Sequence, residues 1–210
     1  MVKNKTPIIK YSICVSGAAA GKTVETAKPL AIRIGEAIAN SGHTITTGAT
    51  VGLPYFAANA AVKLGGSSIG FSPASSAREH LRKYRLPVDA FDFINYTGMS
   101  YVGRDLYLVQ SSDAIITVGG RFGSLHEFTS ALEAGIPCGV LLGSDGTADL
   151  IPQLMDTLEP PNKSKVIFSN NPEELVEKMI KLLDIEHMDL IKDYQESGNW
   201  YLRGSNSHIG

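Results

Sequence analysis

A chain of 210 residues that is 43% hydrophobic and 19% charged is long enough to bury one sizeable core, and a single domain is the first expectation. A formal net charge of −2 lacks the basic surplus of a dedicated DNA or RNA binder, so no nucleic acid polymer is expected as a partner. No apolar stretch approaches the roughly 20 residues of a membrane helix, and nothing signal-like follows Met1-Val2-Lys3-Asn4-Lys5; the expectation is a cytoplasmic protein with no membrane partner.

Strands, glycine turns and helices alternate along the chain. Residues 8–15 read as a strand, followed by the turn Gly17-Ala18-Ala19-Ala20-Gly21-Lys22-Thr23. Residues 24–40 place Ala27, Leu30, Ala31, Ile34 and Ile38 at helical spacing. A short strand at 43–47 leads into a second glycine turn at 48–54, and an alanine-rich helix at 55–64 ends at Gly65-Gly66. A third strand at 67–71 is closed by Pro73, and the polar, basic stretch 75–87 reads as a helix and loop. A strand at 91–96, a helix at 100–111 and a strand at 113–118 come next. The third glycine turn opens a helix that Gly135 and Pro137 terminate. Further strands are expected at 137–142 and 165–168, on either side of a helix at 148–158. Asn171 and Pro172 mark the start of a last helix to about Leu183, as N-cap and first-turn residue. Residues 186–210 show no clear period. The expected organisation is one domain over 1–184 and a tail over 185–210, loosely packed or docked on a partner subunit.

Helices of this length between short apolar strands define an α/β fold, a Rossmann-like doubly wound parallel sheet with helices on both faces. Central strands covered on both sides explain the continuous apolar runs. Ligands of such sheets gather at the carboxyl ends of the strands, and all three glycine turns follow strands, so they should converge on one crevice. Cys14 and Cys138 sit in apolar strand runs without metal-ligand spacing and read as inert buried thiols. Arg78, Arg82, Lys83, Arg85 and Lys63 read as a solvated helix face rather than a nucleic-acid patch, with an anionic small ligand as a further alternative.

The first turn is one residue short of a nucleoside-triphosphatase P-loop, having three rather than four residues between its glycine and Gly21-Lys22-Thr23. No strand ends in an aspartate that would hold magnesium. It reads instead as a small-residue turn over which a nucleotide lies, with Gly17 and Ala18 in contact and Lys22 and Thr23 as further polar candidates. The second turn offers Gly48 and Gly52. The third, Gly119-Gly120-Arg121-Phe122-Gly123-Ser124-Leu125-His126-Glu127, is the most informative: its backbone N–H groups approach an anion at a helix's positive end, and Glu127 stands one turn further in. A capping box, with Ser124 as cap and Glu127 reaching back, is the purely structural alternative. His126, about 100° round the helix from Glu127, should point elsewhere.

On these residues the chain resembles the LOG family, phosphoribohydrolases often mislabelled lysine decarboxylases. The family motif Pro-Gly-Gly-x-Gly-Thr-x-x-Glu, laid on without gaps, puts Gly119 on the proline, Gly120 and Arg121 on the two glycines, and Gly123, Ser124 and Glu127 on the glycine, threonine and glutamate. Arg104 falls at the distance of the arginine in the family's Met-x-x-Arg-Lys stretch, with Asp105 replacing the lysine and the methionine displaced to Met99. Gly48 to Leu53 and the run from Gly65 to Pro73 add softer matches, so the resemblance spans about Ser12 to Leu183. It implies a nucleoside 5′-monophosphate or related phosphoribosyl ligand, cleaved at its N-glycosidic bond to free base and ribose 5-phosphate without a metal or cofactor. Glu127 and Arg104 would be the catalytic pair. Gly123 and Ser124 would hold the phosphate, with Gly119, Gly120, Arg121 and Phe122 around them. The replaced loop residues also suit a non-catalytic nucleotide-binding module, a sensor or carrier of the same fold. The family resemblance further implies a homo-oligomer, with residues 55–64 as a helix that could pair across a two-fold axis.

Overall fold

The computed structural model describes residues 9–197. Seven strands form one sheet: β1 (Ser12–Gly17), β2 (Thr44–Thr47), β3 (Ser67–Ser72), β4 (Phe93–Tyr96), β5 (Ala114–Val118), β6 (Cys138–Leu141) and β7 (Val166–Ser169). Their order is β4-β3-β2-β1-β5-β6-β7, and every pairing is parallel. The chain winds outward from β1 to one edge, then returns to β1's other side through β5. The β1–β5 boundary is therefore the point where the winding reverses and the strand ends open a crevice.

The helices are α1 (Lys22–Asn40), α2 (Leu53–Lys63), α3 (Ala77–Arg82), α4 (Ser100–Gln110), α5 (Phe122–Glu133), α6 (Thr147–Leu158), α7 (Pro172–Glu186) and α8 (Met188–Ser197). Strand side chains alternate between faces, which splits the core in two. Ile13, Val15, Ile116 and Val118 pack with Ala27 and Ile34 of α1, Ala57 of α2 and Met179 of α7. Cys14, Ile115 and Val140 point the other way, onto Leu108 of α4, Phe128 of α5 and Ile151 of α6. The result is the expected three-layer α/β arrangement. Burial holds both thiols protonated, Cys138 with its pKa pushed up to about 12.

Most elements fall where the sequence pattern puts them, and the differences have physical causes. β1 starts at Ser12 and runs to Gly17, later than 8–15, because its pairing with β5 continues to Gly17↔Val118; residue 8 lies outside the described residues. α2 and α5 begin earlier than read, each taking part of its glycine turn into the first helical turn. α7 is capped as expected, Asn171 Oδ1 accepting from the Glu174 N–H at 2.9 Å. Residues 188–197 of the tail form α8, mostly exposed, where no period had been read; the remaining tail, 198–210, lies outside the described residues.

The alanine-rich face of residues 55–64, expected to be free for a second copy, is used within this chain, while Tyr55, Phe56, Asn59 and Val62 stay half-buried and Leu64 exposed on the other face. Leu53, Pro54, Ala57, Ala58, Ala60 and Ala61 are buried within this chain, and α2 lies so close to α1 that a Cβ on Gly35 would stand 2.0 Å from the Ala57 carbonyl oxygen. Among the described residues, no helix is long and apolar enough to cross a membrane.

Candidate functional site

The three glycine turns do meet. A cavity of about 360 Å³ opens at the carboxyl ends of β1, β2 and β5. Gly17 and Ala18 line it after β1, Gly48 after β2, and Arg121, Phe122, Gly123 and Ser124 after β5, with Arg104 of α4 and Glu127 of α5 on its inner wall. Gly52, Gly119 and Gly120 do not line it. Gly120 takes φ +107, closed to most side chains, and that conformation shapes the loop around Ser124. The loop is pinned from behind: Ser144 Oγ accepts from the Gly119 N–H at 2.7 Å, and Thr147 Oγ1 donates to the Arg121 carbonyl at 2.8 Å. Lys22 and Thr23 are likewise absent from the lining.

α5 starts at Phe122 with Arg121 as its N-cap residue, and no side chain caps it. The capping-box reading of Ser124 and Glu127 therefore falls, since Ser124 is already the helix's third residue. The first amide to bond back is that of Leu125, to the Arg121 carbonyl at 3.0 Å. The preceding helix-start amides have no partner within the helix, like the first N–H groups of any helix, and Phe122, Gly123 and Ser124, which carry them, line the cavity. A Cβ built on Gly123 meets nothing within 4 Å, which leaves its backbone open to a ligand.

One turn deeper along α5 than this cradle lies an acid–base cluster. Ser16 shares the face of Cys14 by the two-residue period of the strand, and from there its Oγ donates to Glu127 Oε2. Glu127 is 8% exposed. Burial drives its pKa up to about 7; Arg104 and the Ser16 hydroxyl oppose the rise, and Asp105 adds to it. Arg104 comes from α4, on the same buried face as Leu108, and is 4% exposed. Its Nη1 stands 3.7 Å from Glu127 Oε1, and its Nη2 3.4 Å from Asp105 Oδ1. Neither its Nε nor its Nη1 has a hydrogen-bond partner, although both are buried. A buried guanidinium with orphaned donors is costly unless something else accepts from it. Gly48 makes room for it: a Cβ there would lie 1.6 Å from Arg104 Nη1. The next residue, Ala49, takes φ 52 in the same turn, a left-handed conformation uncommon outside glycine.

Sequence reasoning missed Ser16, Tyr101, Asp105 and His126. Tyr101 lines the cavity mouth with Phe122, and both rings are solvent-exposed. His126 is outside the lining, as expected, yet its Nδ1 is 2.9 Å from Asp105 Oδ2. It is therefore joined to the cluster rather than pointing away from it. The sole sequence signal for Asp105 was its place beside Arg104.

Residues 10–176 match the SLOG cluster4 family, and the chain belongs to it. An uncharacterized protein of Archaeoglobus fulgidus is 34% identical over 116 residues, which cover 55% of this chain and 71% of that one. The molybdenum cofactor binding protein from the phototrophic bacterium Rippkaea orientalis is similar in structure, with a TM-score of 0.67 and 26% identity over 84% of this chain and 99% of its own. DNA processing protein A of Helicobacter pylori, solved for its single-stranded DNA binding mode, shares the fold at a TM-score of 0.56 and 20% identity, covering 81% and 80% of the two chains.

Proposed function

We propose that the cavity binds a nucleoside 5′-monophosphate or a related phosphoribosyl ligand and that the protein hydrolyses its N-glycosidic bond. The observation that carries this reading is the buried Arg104, its Nε and Nη1 unpartnered, beside a buried Glu127 in the same cavity as an open helix start. The phosphate sits on the amides of Gly123 and Ser124, where helix dipole and free N–H groups both favour an anion. Arg121, exposed at the rim, adds a positive charge to that end. The pentose then faces Arg104 and Glu127, and the base leaves toward the exposed rings of Tyr101 and Phe122.

In the cleavage step the bond from C1′ to the base nitrogen breaks and its electron pair departs with the base. Positive charge builds on the sugar, as in glycoside hydrolysis. Ionised Glu127 stabilises that charge and orients a water, whose hydroxyl joins C1′ and whose proton ends on the carboxylate or the base. A carboxyl titrating near neutrality suits both halves of that cycle. Arg104 donates to sugar hydroxyls or a phosphate oxygen, which satisfies its orphaned nitrogens.

A second reading is a carrier of a phosphorylated heterocycle without turnover. The likeness to the Rippkaea protein favours it, and on this reading the ligand would be the molybdenum cofactor or a similar phosphorylated pterin. A nucleic acid polymer fits neither reading: the chain carries a net charge of −2, and the cradle is a single helix start inside a cavity. Self-association belongs to both readings, and α4 exposes Val102 and Leu106 as apolar side chains open to a second copy.

Incubation with a panel of nucleoside monophosphates, followed by chromatography for free base, separates the possibilities. Release that Glu127→Ala abolishes supports hydrolysis. Calorimetric binding without release supports the carrier. If no nucleotide is bound or cleaved, the nucleotide reading falls.

A further inference from the structure

The wall of the cavity continues outward to the surface through two residues that the proposed reaction does not use. Asp105 is 6% exposed, and its two oxygens have different partners. Oδ1 is 3.4 Å from Arg104 Nη2, and Oδ2 is 2.9 Å from His126 Nδ1. Asp105 and Glu127 both flank the Arg104 guanidinium, and Asp105 helps to raise the Glu127 pKa. Two neighbouring carboxyls remain together only around a shared proton or a nearby cation. His126 follows from its position on α5: next to Glu127 in sequence, it meets Asp105 from the outer side, with its side chain 40% exposed.

We propose that His126, acting through Asp105, is a positioning residue for the ligand site: the imidazole fixes one oxygen of the Asp105 carboxyl and so holds the other on Arg104, whose Nη1 faces Glu127. This rests on the reading of the cavity as the ligand site. An aspartate's terminal torsion is soft, so a carboxyl held at one oxygen is oriented, and one held at neither is free to turn. Released from His126, Asp105 would offer both oxygens to Arg104 as a bidentate pair, the arrangement a guanidinium prefers. That would draw the guanidinium off Glu127 and turn its Nε and Nη1 away from the ligand. The groups facing Glu127 are few. α4 supplies Arg104 and Asp105, β1 supplies the Ser16 hydroxyl and the Cys14 thiol, which burial keeps protonated, and α5 supplies His126 through Asp105.

The test is the titration of Glu127, followed by carbon-13 NMR on glutamate-labelled full-length protein, with Glu127→Gln to assign the resonance. His126→Ala is expected to raise the midpoint by about one pH unit, and Asp105→Asn, which removes the neighbouring acid, to lower it by a similar amount. His126→Asn keeps a donor near the Nδ1 position and should restore most of the wild-type value. Calorimetry with adenosine 5′-monophosphate should show affinity at least threefold weaker in His126→Ala and recovered in His126→Asn. A midpoint that does not move in His126→Ala overturns the proposal, as does an asparagine no better than alanine. If the titration shifts appear but adenosine 5′-monophosphate does not bind, the positioning chain stands and the nucleotide reading fails.

Discussion

Replacing Glu127 by glutamine tests whether the site holds a carboxyl against its solvation preference. The pKa of Glu127 rises from 4.5 to about 7 on folding, chiefly because the group is buried. A raised acid binds its proton more tightly in the native than in the unfolded chain. Its contribution to stability is therefore complete below pH 4.5 and is lost as pH climbs through about 7. At about 1.36 kcal/mol per pH unit, the ionised carboxyl costs the native state about 3 kcal/mol at pH 8, relative to a neutral side chain of the same shape. Glutamine does not titrate and keeps a group able to accept from Ser16. The variant should therefore match the wild type near pH 4.5 and melt about 5–10 °C higher at pH 8, using the usual conversion for a domain of this size. Thermal unfolding followed by circular dichroism across that range decides it. A difference in melting temperature that is constant with pH would refute the reasoning.

Two glycine-to-alanine changes should give opposite outcomes. Gly48→Ala places its methyl on the movable end of Arg104, so the fold should survive with a loss of about 1 kcal/mol or less, while affinity for a bound nucleotide falls at least tenfold. Gly35→Ala drives its methyl into the Ala57 backbone, which cannot step aside; a destabilisation of about 2–4 kcal/mol is expected in a urea melt, with site chemistry intact in the folded fraction. Phe122 is 88% exposed, so Phe122→Ala should leave stability within about 0.5 kcal/mol while weakening nucleotide binding severalfold in calorimetry.

The strand–turn–helix rhythm made the sheet and its crevice legible before any coordinates, because short apolar strands and glycine punctuation are local signals. The same locality hid the rest. Ser16 and Glu127 are 111 residues apart in sequence, and Asp105 and His126 are 21 apart on different helices. Such pairs exist only once the layers are packed. The start of α5 was misplaced because Gly123 lies inside its first turn, where glycine usually argues against helix; here the space beside it is open to the cavity. α8 escaped notice because it is short, mostly exposed and poor in apolar residues. Gly52, Gly119 and Gly120 were read as ligand contacts, though glycine serves backbone geometry as readily as ligand approach. In the packed loop these three do not line the cavity.

The most direct measurement is a crystal structure of the protein soaked with a nucleoside 5′-monophosphate. The account predicts the phosphate on the amides of Gly123 and Ser124, and the pentose between Arg104 and Glu127 with a hydrogen bond to Arg104 Nε or Nη1. Nucleotide density away from that cavity, or an Arg121 side chain filling the phosphate position, would contradict it.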